Sequence, residues 1–160
     1  MNNGEWVALS LNEFVELFIS AKLSFENGKT YHVCVDLANG HMAKLYDLID
    51  KAKEKASKEG YIIDVMTGNI ANPETYNVLC DSNVDYIRLS IGSGNGCLTT
   101  SNTGIHYPIA SLIDECDHIR IYKHEQYPKI VADGGIRNFS DAIKALALGA
   151  DYVMVGGLFS

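Results

Sequence analysis

The chain has 160 residues, 47% of them hydrophobic and 21% charged, which is ordinary globular composition and enough to bury a substantial core. A net charge of −7 argues against a surface for nucleic acid or anionic lipid, since both need clustered Lys and Arg. An anionic small molecule would have to be held locally, by loops and backbone amides.

In chain order, Met1 to Glu5 shows no basic stretch leading into an apolar one, and no apolar run reaches membrane-spanning length, which predicts a reduced cytoplasmic compartment. Short runs rich in β-branched and aromatic residues then alternate with helix-period segments. The predicted strands are Trp6 to Leu9, His32 to Val35, Ile62 to Met66, Tyr86 to Leu89, Lys129 to Ala132 and Tyr152 to Val155. Their continuous apolar character points to a parallel sheet buried on both faces, with room for a crossover helix between successive strands. Met42 to Glu59 predicts a helix with an apolar first half (Met42, Leu45, Leu48, Ile49). Its second half (Lys51, Lys53, Glu54, Lys55, Lys58, Glu59) reads as a solvated outer face. Asn72-Pro73-Glu74 supplies a helix start, and Ser140 is the expected cap of a helix that Gly149 stops.

Cys34, Cys80, Cys97 and Cys116 show no C-x-x-C spacing, so neither a zinc site nor a disulfide framework is indicated. Three of them sit in apolar or helical contexts, where a small buried hydrophobe is expected. His118, Tyr122 and His124 read as a polar connection without metal spacing. No linker or low-complexity stretch divides the chain, which reads as one domain over residues 1–160.

The candidate site segments all fall just past a strand's C-terminal end: Asp36 to Gly40, Thr67-Gly68-Asn69, Gly92 to Thr100, Asp133 to Gly135, and Gly156-Gly157. That is the active-site face of a (β/α)8 barrel and the ligand crevice of an open α/β sheet. In Gly92-Ser93-Gly94-Asn95-Gly96-Cys97-Leu98-Thr99 the glycines let the backbone approach a ligand or ion, and amide dipoles can favour a thiolate at Cys97. The same pattern also suits a tight turn with an inert cysteine. Asp133 before Gly134-Gly135 can accept two hydrogen bonds from vicinal hydroxyls, or cap a turn.

The Gly92-to-Thr99 loop, together with Asp36-Leu37-Ala38-Asn39-Gly40, Ala132-Asp133-Gly134-Gly135 and Val155-Gly156-Gly157, resembles the IMP dehydrogenase and GMP reductase family in motif, order and spacing. The resemblance covers nearly the whole chain, least distinctly the first thirty or so residues. It implies a partial (β/α)8 TIM barrel carrying about six βα units, the third to the eighth.

The resemblance further implies that Cys97 attacks C2 of a purine nucleoside monophosphate, with Thr99 at the reacting centre; as a residue type, Thr99 could equally cap the following helix. Asp133 is implied to hold ribose, and Gly134, Gly135, Gly156 and Gly157 the phosphate. Asn95 stands where the family has a phosphate-contacting serine, and its side-chain amide could donate to the same phosphate. Asp36, Leu37, Ala38 and Asn39 match the segment that meets the nicotinamide cofactor. The carbonyls of Gly92, Gly94 and Cys97 match a monovalent-cation site, with potassium the expected ion. Asp-x-Ala-Asn-Gly, Thr103 to Pro108 and Gly157 resemble the reductase, while Ala145 to Ala150 is closer to the dehydrogenase. The expected activity is NADPH-dependent deamination of GMP to IMP. The alternatives are an NAD-dependent IMP dehydrogenase, or a silent nucleotide-binding fragment or barrel-completing subunit. By resemblance the parent enzyme would be a homo-oligomer, a tetramer.

Overall fold

The computed structural model describes residues 4–21, 24–36, 43–91, 107–123 and 127–156. Among them, six strands form one parallel sheet in the order of the sequence: β1 (Trp6–Leu9), β2 (Thr30–Asp36), β3 (Ile62–Ile70), β4 (Tyr86–Leu89), β5 (Lys129–Asp133) and β6 (Tyr152–Met154). Each connection carries a helix: α1 (Leu11–Phe14), which runs on as a π-helical segment over Val15–Ser20, then α2 (Ala43–Glu59), α3 (Pro73–Leu79), α4 (Ile109–Lys123) and α5 (Phe139–Ala147). The sheet curls into an open half-barrel, a partial (β/α)8 barrel as the sequence implied.

The two faces of the sheet differ. On one, Val33, Val35, Ile63, Val65, Ile87, Leu89, Ile130 and Ala132 pack with Leu45 and Ile49 of α2 and Leu112 and Ile113 of α4 into the main core. Each of these valine, leucine and isoleucine side chains contributes about 1.5–3 kcal/mol by leaving water. The other, concave face carries a small cluster of Cys34, Met66 and Val131 beside Tyr86. Trp6 packs there against the rings of His32 (5.1 Å between centroids) and Tyr86 (4.8 Å). Trp6, Tyr152 and Met154 remain 38%, 51% and 40% exposed, so the expectation of burial on both faces is corrected. Six curled strands wrap part of a lumen without closing it.

The helices follow their local signals with three corrections. Asn72 caps α3 as expected, its side chain accepting from Thr75 N at 2.8 Å, with Pro73 at the first helical position. The cap of α5 is Asn138 rather than Ser140; it accepts from Asp141 N at 2.9 Å, and Gly149, at φ +113°, ends the segment. The polar half of α2 is not wholly solvated. Ala52 and Ala56 continue its buried stripe, and Lys55 Nζ donates to Ala21 O at 2.7 Å. His118 and Tyr122 lie on α4, not in a connection, because apolar residues on several sides of that helix blur its 3.6-residue period.

At the N-terminal ends of the strands one device occurs twice. Asp85, just before β4, accepts from Lys53 Nζ (2.7 and 2.6 Å) and from the backbone N of Val65 in β3 (2.6 Å). Asp151, just before β6, accepts from Arg120 Nη1 (2.6 Å) and from the backbone N of Ile130 in β5 (2.8 Å). A carboxylate thus ties each of these strands to its neighbour, neutralised by a helix-borne cation.

Candidate active site at the C-terminal rim of the sheet

Because the strands are parallel, all of them end at one rim. Asp36 closes β2, Asp133 closes β5, and Arg88 stands one residue from the end of β4. Asp36 pairs in register with Gly68, and Gly68 with Arg88. The register then shifts, so that Ile70 rather than Asn69 meets Leu89. This extra residue is a bulge, which bends a strand and re-aims its side chains. Strict alternation from Met66 would turn Asn69 toward the helices; the bulge instead brings it among the polar groups of the concave face and buries Ile70 in the core.

Arg88 is the centre of the resulting cluster. Its Nε donates to Asp133 Oδ2 at 3.1 Å, Nη1 to Asp36 Oδ1 at 3.0 Å and to Cys34 Sγ at 3.2 Å, and Nη2 to Asn69 Oδ1 at 2.6 Å. Asn69 Nδ2 in turn donates to Asp133 Oδ2 at 2.9 Å and to Ser90 O at 2.8 Å. The Arg88 side chain is only 13% exposed, where an unpaired cation would be costly, while that of Asp36 is 61% exposed. Burial pulls the Arg88 pKa down, but Cys34, Asp133 and Asp36 outweigh it and leave the guanidinium above its ordinary value. It is therefore a permanent cation. Two donors fix Asp133 Oδ2, so further hydrogen bonds from a ligand would fall chiefly to Oδ1.

Past Asp133, Gly134 and Gly135 take φ of +92° and +77°, which glycine adopts at little steric cost, and turn the chain toward Asn138. Gly156, past β6, is exposed, and a Cβ there would meet no described atom within 4 Å. Ser90 also has positive φ, +109°, where the chain leaves β4 toward the glycine-rich loop. Of the residues singled out in the sequence, the structure brings Asp36 and Asp133 together through Arg88 and sets Gly134 and Gly135 beside Asp133. Leu37, Ala38, Asn39, Gly92, Gly94, Asn95, Cys97, Thr99 and Gly157 lie outside the described residues.

Arg88 is not among the residues expected from the sequence to form the site, Asn69 enters there only within Thr67-Gly68-Asn69, and Cys34, buried as expected, also meets the Arg88 guanidinium. A signal was present. Arg88 interrupts an otherwise apolar strand, and a Gly-Asn pair within a strand marks a bulge.

The sequence profile of the IMP dehydrogenase / GMP reductase domain matches residues 21–160. The chain belongs to this family. GMP reductase of Onchocerca volvulus is 34% identical over 129 residues, 81% of this chain and 34% of that protein. Inosine-5'-monophosphate dehydrogenase of Helicobacter pylori is 35% identical over 126 residues, 79% of this chain and 24% of that protein. The crystal structure of a Trypanosoma brucei GMP reductase aligns with a TM-score of 0.69 at 26% identity, covering 93% of this chain and 31% of that one. The chain thus spans about a third of the length of the GMP reductases it matches. Among the described residues no helix is long and apolar enough to cross a membrane, and no group of three or more His, Cys, Asp or Glu could hold a metal ion.

Proposed function

We propose that this chain carries the nucleotide and cofactor rim of a purine nucleotide oxidoreductase, acting in the NADPH-dependent conversion of GMP to IMP. The observation that carries the reading is the Asp36–Arg88–Asp133 cluster at the strand ends of a partial barrel of this family. Asp133 accepts hydrogen bonds from ribose hydroxyls, its Oδ2 held by Arg88 and Asn69. Gly134, Gly135, Gly156 and Gly157 let backbone amides approach the phosphate. Asp36, anchored by Arg88 yet mostly in solvent, faces the cofactor together with Leu37, Ala38 and Asn39. An exposed carboxylate at a strand end fits the vicinal hydroxyls of the nicotinamide ribose, which NADPH leaves unphosphorylated.

The Cys97 thiolate adds to C2 of GMP, and the 2-amino group leaves as ammonia after taking up a proton, with Thr99 hydrogen-bonded to the centre. C2 then takes up a hydride, which NADPH would supply when bound. The carbon–sulfur bond then breaks, returning the thiolate and releasing IMP. Carbonyls of Gly92, Gly94 and Cys97 would hold a potassium ion that shapes the loop, and the assembly is a homo-oligomer.

The test is calorimetric titration of GMP, IMP and AMP into the chain, with Asp133→Asn alongside, followed by turnover of GMP with NADPH. Binding of GMP and IMP above AMP, lost by at least about tenfold in the variant, is expected, since hydrogen bonds to a charged group are worth about 1.5–3 kcal/mol. Equal binding of all three nucleotides, or none by a folded chain, overturns the reading. The second reading, IMP dehydrogenation with NAD, draws on the 35% identity to the Helicobacter pylori dehydrogenase. Formation of XMP from IMP and NAD, with GMP inert, would decide for it.

A further inference from the structure

We propose that Arg88 is a positioning residue that couples the two halves of the site, so that occupation of Asp36 is felt at Asp133 and the reverse. The proposal rests on the assignment of Asp133 to nucleotide and Asp36 to cofactor. From β4, one planar guanidinium reaches groups on three other strands: Asp36 and Cys34 on β2, Asn69 on β3 and Asp133 on β5.

A guanidinium is rigid, so its donors cannot move independently. Any rotation that follows Asp36 at Nη1 also swings Nε away from Asp133. The group has little other freedom: it is largely buried, and the backbone of Gly68 is packed against its own Cβ. Asn69 closes a ring, accepting from Nη2 and donating to the carboxylate oxygen that Nε holds. Hydrogen bonds arranged in such a circuit strengthen one another and are lost together.

Asp36 is the adjustable end. Its carboxylate is more than half exposed, and Arg88 is its ion-pair partner among the described residues. A ligand that draws Asp36 outward weakens the Nη1 contact and releases the plane; one that presses it inward locks the plane with Asp133 in place. Binding at one carboxylate must then change affinity at the other, and by linkage the effect is equal in both directions. A lysine at the same position would keep the charge but hold one carboxylate without reporting on the other.

Two measurements on the full chain test this. In amide proton–nitrogen spectra without ligand, Asp36→Asn should shift the Gly134 and Gly135 signals in the otherwise unaltered protein. In an Arg88→Lys background the same substitution should leave them in place; equal shifts in both backgrounds overturn the proposal. With ligand, Arg88→Lys should weaken GMP binding by about tenfold, as for loss of a charge-assisted hydrogen bond. Asp36→Asn should weaken it by about threefold when Arg88 is present and not further when it is replaced, the non-additivity of coupled sites. Strictly additive losses overturn the proposal. Arg88→Gln serves as the second background should Arg88→Lys not fold. If the unaltered chain takes up neither GMP nor NADPH, the functional reading falls, and the ligand-free spectra alone decide the coupling.

Discussion

Gly68 lies so close to Arg88 that a Cβ built on it would stand 2.5 Å from the Arg88 carbonyl oxygen and 2.8 Å from the Arg88 Cβ. Gly68 also has φ of +130°, a backbone region that side chains rarely adopt. The bulge that turns Asn69 into the site therefore depends on a residue with no side chain.

Gly68→Ala should destabilise the chain by about 2–4 kcal/mol, combining strain at positive φ with an overpacked contact against backbone. Urea denaturation checks it. A loss below about 1 kcal/mol would mean that β3 and β4 can separate there at little cost.

Asp85→Ala should be more damaging than Asp85→Asn, because alanine strands both the Lys53 ammonium and the Val65 amide, while asparagine still offers the amide an acceptor. We expect a loss of about 1.5–3 kcal/mol for alanine and roughly half that for asparagine, discounted because both partners are about one quarter exposed. Equal losses in a thermal melt would assign the whole effect to the ion pair.

The fold was legible where local chemistry decides it, and obscure where distant contacts do. The strands of β1 and β4, the Asn72 cap and the Gly149 stop follow from residue type and spacing. A capping box at α1, in which Ser10 Oγ accepts from Glu13 N at 3.3 Å and Glu13 Oε2 from Ser10 N at 2.7 Å, is a further local signal, spelled Ser-x-x-Glu in the sequence. Asp36 and Asp133 stood out as acids past apolar strands. Arg88 did not, because a cation inside a strand has meaning only once β2, β3 and β5 bring partners to it. Lys53 reads as surface for the same reason: its partner is 32 residues away in sequence.

The thiols should separate sharply under a limiting alkylating reagent. Cys116 is fully buried, and that burial, with Cys80 nearby, pushes its thiol well above the ordinary value, so it should react only on unfolding. Cys34 is 6% exposed, against the Arg88 guanidinium; Cys80 is half-buried, a correction to the expectation that it is wholly buried. We expect Cys97 to be labelled first, Cys80 next, and Cys34 and Cys116 last. Peptide mapping decides, and early labelling of Cys116 would contradict its packing.

Stability should fall on the alkaline side. Burial, helped by Glu59 and Tyr31, pushes the Tyr61 phenol from its ordinary 10.0 up to about 12. Tyr76, whose hydroxyl donates to Pro128 O at 2.8 Å, is also raised by burial. Between the unfolded and folded values the unfolded chain binds fewer protons, so stability is whole below about pH 10 and drains away as pH rises toward 12. Denaturation midpoints over that range, with tyrosinate absorbance on the same samples, measure it. A flat profile would mean that the two phenols ionise in place.

The strand order has a consequence for how the molecule comes apart. Since every strand hydrogen-bonds to its immediate neighbour in sequence, the half-barrel is built like a row of repeats, each βα unit leaning mainly on the next. Such a row frays from its ends. Among the described residues β2 to β5 each have partners on both sides and β1 and β6 a single one, so amide hydrogen exchange should be slowest in β2 and β3, the longest of the flanked strands, and fastest in β1 and in the three residues of β6. The rim cluster spans β2 to β5, so it sits in the most cooperative stretch and should outlast the loss of either terminal unit.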